Sequence, residues 1–111
     1  MSAENAPAVT LRNQRDGRDS QHLWAYLDGA GNLHVDGQDF GPQTAIVSDD
    51  GEYEFFYKVL AADIPTLLQA LDADPADGIL HVLATRFSGD QARDLEAVLG
   101  AGVVPVAFQR W

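Results

Sequence analysis

The spacing of apolar residues changes along the chain, from an alternating pattern in the first half to a helical one in the second. In residues 22–28 and 33–36, apolar and polar residues alternate with a period of two, which is typical of strands. The segment between them, Asp28-Gly29-Ala30-Gly31-Asn32, is rich in turn-forming residues. These segments predict an antiparallel hairpin with a loop of about four residues.

The clearest strand signal lies in residues 52–61, which carry apolar side chains on both faces. That pattern favours an interior position in the sheet. Residues 44–47 fit either a short strand or a helical turn. Residues 103–109 predict a last strand, in which Pro105 favours a sheet edge or a strand start.

Three helices are predicted between these last two strands. Asp63 is the expected N-cap of the first helix, with Pro65 in its first turn. The second helix is expected over about residues 76–87. The third should begin after Ser88 or Asp90, and glycines at 100 and 102 should end it.

Strands followed by helices predict an α+β fold, in the order β-β-(β)-β-α-α-α-β. We expect an antiparallel sheet of about four strands, with two to three helices packed on one face. Residues 1–20 are polar and aperiodic, and they predict a flexible N-terminal tail, with a weak strand signal at residues 9–13 as the alternative. Residues 21–111 should form a single α+β domain.

The acid excess belongs to that predicted domain. The chain has 17 acidic and 7 basic residues and a net charge of −10, whereas residues 1–20 are neutral. Such a field repels nucleic acid and anionic membranes, and it attracts basic proteins at rates that fall with salt. A saline habitat or a simple need for solubility would also produce it.

The composition restricts where the protein works. The chain contains no cysteine, which excludes disulfides and zinc–thiolate sites. No apolar run approaches the roughly 20 residues that span a bilayer, and the N-terminus does not resemble a signal peptide. We therefore expect a cytoplasmic protein.

No residue pattern points to catalysis, a metal ion or a cofactor. The acidic segment Asp72–Gly78 lacks the ligand spacing of an EF-hand. His22 and His34 would face each other across the hairpin, but a third ligand is missing, and so is a Ser or Cys partner. His81 lies beside an apolar helical stripe. An enzyme that uses carboxylates and His34 remains a minor alternative.

Aromatic residues are interleaved with acids around the predicted hairpin and the strand at 52–61. Aromatic anchors within an acidic rim are typical of a surface that binds a basic protein. A solvated face that keeps the domain soluble would show the same composition. The expected partner-binding residues are Trp24, Tyr26, Asp36, Asp39, Asp49, Asp50, Glu52 and Glu54.

Five segments carry a resemblance to known proteins: Trp24–Asp28, Gly37–Pro42, Tyr53–Phe55, Asp63–Pro65 and Arg86–Gly89. In this order they resemble a group of small acidic actinobacterial proteins of mostly unknown function, and the chain is similar to immunity proteins of contact-dependent toxin systems. The resemblance implies a non-enzymatic inhibitor of a cognate basic toxin, such as a nuclease, and it supplies no catalytic residues. A regulatory module, homodimeric through its sheet edge, is the alternative, and the oligomeric state is open.

Overall fold

A computed structural model of the protein describes residues 8–16, 19–40 and 52–110. It has an α+β fold with a five-stranded antiparallel sheet, in which the strands follow one another in chain order. The strands are β1 (Val9–Asp16), β2 (Asp19–Leu27), β3 (Leu33–Phe40), β4 (Glu52–Val59) and β5 (Ala107–Arg110). The predicted fold class is confirmed, with five strands rather than about four.

The predicted hairpin forms from β2 and β3. Ala25 lies opposite Val35, and both are fully buried, as the alternating pattern requires. Between the strands, Gly31 adopts a φ of 84°, which glycine reaches without a steric penalty. The possible element at 44–47 lies outside the described residues.

Strand β4 occupies an interior position between β3 and β5, as its two apolar faces predict. Phe55 and Val59 are buried, and Tyr53 and Tyr57 pack against the same core. β5 is an edge strand that begins two residues after Pro105. The predicted strand over residues 103–109 therefore starts four residues later than expected, with Pro105 before it, and its expected place at a sheet edge is confirmed.

The N-terminal boundary expected at residue 20 needs correction. β1 pairs with β2 along its length, and the boundary falls inside β2. A register shift between Thr10 and Arg12 allows Leu11 to enter the core, where it is almost completely buried. Most other β1 side chains are exposed, so the strand lacks the apolar alternation that reveals its neighbours.

Three helices follow β4: α1 (Ile64–Ala70), α2 (Ile79–Arg86) and α3 (Ala92–Gly100). Asp63 is the N-cap of α1 as predicted, although its side chain makes no capping hydrogen bond. A 3-10 turn over Gly89–Gln91 precedes α3, so its N-cap is Gln91 rather than Ser88 or Asp90. α3 ends at Gly100, as expected.

The helices pack on one face of the sheet, which we call the covered face. Their buried leucines and valines join one apolar cluster with the inward residues of β1–β4. The strand register places Leu23, Gly37 and Phe55 side by side on the covered face. We call the opposite face of β2–β4 the open face, since no described helix packs against it. Within the described residues, no helix is both long and apolar enough to span a bilayer.

Candidate binding face

Nine side-chain positions of the open face form three rows across β2, β3 and β4. The middle row is Trp24, Asp36 and Phe56. The flanking rows are Tyr26, His34 and Lys58 on one side and His22, Gln38 and Glu54 on the other. Because directly opposite residues share a face, the register brings together four predicted binding residues: Trp24, Tyr26, Asp36 and Glu54.

Aromatic rings dominate this face. The rings of Tyr26 and His34 stack with centroids 4.8 Å apart and planes inclined by 3°. The rings of His22 and Trp24 lie 4.7 Å apart at 44°. Trp24, Tyr26 and Phe56 are each only partly buried. Aromatic groups of this kind contribute a large share of the binding energy at protein interfaces.

Asp36 is the buried acid in the middle of this aromatic face. Its side chain is 7% exposed, and its Oδ1 atom receives no hydrogen bond from the described residues. Burial raises the pKa of Asp36, while the charge of His34 and a hydrogen bond from the Tyr26 hydroxyl oppose that rise. A buried acceptor without a donor is unfavourable for folding, which makes Asp36 a candidate for a functional role.

Tyr26 is linked to the same acid. Burial raises the pKa of the Tyr26 phenol, and the Asp36 charge and hydrogen bond raise it further. The phenol therefore stays protonated at neutral pH and donates to Asp36. Tyr26 thus joins Asp36 to the stacked ring of His34.

Asp28 fixes the orientation of His34, and sequence reasoning missed this role. The Asp28 carboxylate lies at the start of the β2–β3 turn, with Oδ2 2.8 Å from His34 Nε2. The hydrogen bond with His34 is the largest cause of a strongly lowered pKa for Asp28. The sequence signal is an aspartate at the start of a glycine-containing turn, where the side chain commonly accepts hydrogen bonds from its own loop; it does not indicate the bond with His34.

The two hairpin histidines do not face each other, contrary to the prediction. His22 lies opposite Gln38, and His34 lies opposite Tyr26. Both still lie on the open face, as expected. Among residues 8–16, 19–40 and 52–110, no group of three or more His, Cys, Asp or Glu is placed to hold a metal ion.

Asp39 does not belong to the open face, although it was expected in the same patch as Asp36. The two residues are three positions apart on β3, so their side chains point to opposite faces. Asp39 lies near an ion pair on the covered face, in which Arg12 Nη2 is 2.8 Å from Glu96 Oε2. Burial raises the pKa of Asp39, Arg12 lowers it and Glu96 raises it, for a net rise.

The remaining predicted acids are Asp49, Asp50 and Glu52, before and at the start of β4 in the sequence. Asp49 and Asp50 lie outside the described residues. Glu52 begins β4, where its backbone position is opposite Phe40. Within the described part of the chain, the expected acids that lie on the open face are Asp36, buried at its centre, and Glu54 in a flanking row.

The negative charge is also present around the helices. Five exposed carboxylates lie there, in the α1–α2 loop and at the start of α3: Asp72, Asp74, Asp77, Asp90 and Asp94. The acid excess therefore surrounds the domain more broadly than the predicted patch. It supplies a long-range field, whereas the open face supplies aromatic contact area and one buried acid.

Comparison with known proteins identifies no relative of this chain. No protein-family model, no curated protein and no solved structure matches the chain. The resemblance to immunity proteins therefore stays a prediction from the sequence.

Proposed function

We propose that this protein is a non-enzymatic immunity protein that binds and neutralises a cognate basic toxin domain through its open face. The supporting observation is the row Trp24, Asp36 and Phe56, in which a buried acid lies between two partly buried aromatic residues. An aromatic and acidic surface of this kind matches a basic, arginine-containing partner.

The charge of the domain supports the same partner. A net charge of −10 accelerates encounter with a basic protein, and close contacts on the open face then slow its dissociation. An inhibitor that must capture a toxin before damage occurs needs both properties. The association rate should fall as salt rises, because the field is screened.

The product of the adjacent gene is the first candidate partner. Co-expression in cells should show whether the protein protects against that product, and surface plasmon resonance should measure the association and dissociation rates at two salt concentrations. Trp24→Ala should speed dissociation by at least about tenfold if Trp24 is an interface anchor. Phe108→Ala is the matched control, since it removes another exposed aromatic residue from β5.

If the parent and Trp24→Ala protect cells equally well, the toxin-binding interface does not include Trp24 and lies outside the open face. Absence of both binding and protection, with the adjacent product and with other basic toxins of the same organism, would contradict the immunity function.

A homodimeric binding module is the second candidate, and the β5 edge favours it. An apolar groove of about 670 Å³ lies between β5 and the end of α3 and includes Tyr57, Leu99 and Val104. Phe108 beside it is 51% exposed. Exposed apolar residues next to a sheet edge favour association with another strand. Sedimentation at several salt concentrations tests this candidate, and a salt-insensitive dimer disrupted by Phe108→Ala would support it.

A further inference from the structure

We propose that Asp36 receives an arginine side chain of the partner, with the guanidinium plane against the rings of Trp24 and Phe56. This inference rests on the proposed function for the identity of the partner. It does not depend on that function for the chemistry of the site.

The position of Asp36 supplies the acceptor. It lies directly opposite Trp24 on β2 and Phe56 on β4, where Cβ atoms are about 4.5–5.5 Å apart. The side chain is more than nine-tenths buried, and none of the described residues donates a hydrogen bond to Oδ1. A carboxylate oxygen in this state gains a hydrogen bond, rather than exchanging one, when a donor arrives.

The charged and titratable neighbours on the open face do not occupy this acceptor. The Tyr26 hydroxyl donates to the carboxylate, yet Oδ1 remains without a donor. His34 is held by Asp28 through Nε2. Lys58 lies one row away and is exposed, and Glu54 is an acid in the other flanking row.

The shape and chemistry of the row favour arginine over lysine. A guanidinium is planar, is weakly hydrated and stacks on aromatic rings while its edge donates to a carboxylate. A lysine ammonium is compact and strongly hydrated, so it loses more on entering a site lined by Trp24 and Phe56. The Trp24 ring is only partly buried and lies against His22, which is exposed.

N-acetyl-arginine amide and N-acetyl-lysine amide serve as probes that need no toxin. The titration uses the Trp111→Phe variant, in which Trp24 is the remaining tryptophan, so that fluorescence and the indole NMR signal report on the site alone. We expect saturable binding of the arginine amide in the millimolar range and several-fold weaker binding of the lysine amide.

Asp36→Asn should reduce binding of the arginine amide about tenfold, since it removes the charge but keeps the size of the side chain. Asp94→Asn is the matched control, because it removes an exposed carboxylate from α3. Circular dichroism establishes that both variants are folded. Equal binding of the two amides, equal binding by Asp36→Asn and parent, or no saturable response in the millimolar range would each overturn the proposal.

The same variants separate this inference from the proposed function. Arginine-amide binding that depends on Asp36, without capture of any toxin, contradicts the immunity function and leaves the arginine site standing. Toxin capture at the same affinity by Asp36→Asn and the parent contradicts the arginine site and leaves the immunity function standing.

Discussion

His34 Nε2 lies 2.8 Å from Asp28 Oδ2, and Tyr26 stacks on the same imidazole ring. Because an ionised carboxylate only accepts, Nε2 carries the proton of this hydrogen bond. The other Asp28 oxygen accepts from the backbone N–H groups of Ala30 and Asn32, at 2.9 Å and 3.0 Å. One carboxylate therefore holds the β2–β3 turn and orients a ring of the open face.

The hydrogen bonds of Asp28 predict how the stability of the fold depends on pH. The hydrogen bond with His34, followed by those within the turn, lowers the pKa of Asp28 below its ordinary value. A carboxyl group of this kind stabilises the fold above its ordinary pKa of about 3.9, and the contribution is lost as the pH falls through the lower folded-state pKa. We expect Asp28→Asn to melt at a lower temperature than the parent at pH 7, with a difference that shrinks below about pH 4.

Thermal unfolding at several pH values between neutral and strongly acidic conditions measures this difference. Asp77→Asn, which changes an exposed carboxylate of the α1–α2 loop, provides the control and should follow the parent more closely. Identical melting of Asp28→Asn and the parent at pH 7 would show that the turn does not depend on the carboxylate charge.

Asp36 predicts the opposite pH dependence. Burial raises the pKa of Asp36, so its contribution to stability is present below its ordinary pKa and is lost as the pH rises. Asp36→Val removes a buried carboxylate whose Oδ1 atom has no donor among the described residues, and it places a β-branched residue in a strand. We expect the free energy of unfolding at pH 7 to increase by about 1–3 kcal/mol, and the gain to shrink as the pH falls.

Urea unfolding at pH 7 and at pH 4 checks this prediction. Asp36→Asn separates the effect of the buried charge from the effect of the unsatisfied polar atom, because it removes the charge but retains polar atoms. A loss of stability in Asp36→Val at pH 7 would mean that the carboxylate stabilises the fold through bonds that the valine cannot replace. It would also weaken the reason for assigning Asp36 to binding.

The sheet interior was predictable because one buried face forces an alternating pattern. The β2–β3 hairpin and β4 follow from the positions of residues such as Ala25, Val35 and Phe55. β1 gave only a weak strand signal, at residues 9–13. It is an edge strand with a bulge and polar side chains, and Leu11 is its one fully buried residue in the described part of the chain.

The candidate site was predicted in part, and the error has a physical cause. The predicted strand ended near residue 36, which left Asp36 at its end and placed Asp39 in the glycine-rich connection that follows. In the structure β3 continues to Phe40, and the Phe55 ring on the neighbouring strand covers Gly37. Once the strand continues, the alternation of side chains separates Asp36 from Asp39.

The contact between Gly37 and Phe55 gives a third prediction. A Cβ atom on Gly37 would overlap the Phe55 ring, so Gly37→Ala should cost about 1–3 kcal/mol of stability. Gly29→Ala is the matched control, because a Cβ there meets no atom within 4 Å. In a double-mutant cycle measured by urea unfolding, the same alanine should cost less in a Phe55→Leu background. Equal costs in both backgrounds would mean that the ring does not set the requirement for glycine.

A substitution of Leu11 tests whether residues 9–16 form a strand of the sheet or a flexible tail. Its side chain is 1% exposed within the apolar core, so Leu11→Ala should lower the free energy of unfolding by about 2–5 kcal/mol. Thr10→Ala, at an exposed position of the same strand, should change it by about 0.5 kcal/mol or less. Urea unfolding measures both values, and hydrogen exchange should show faster exchange of β1 amides in Leu11→Ala. A mobile segment contributes little to stability. If both substitutions have the same negligible effect, β1 is not part of the sheet in solution.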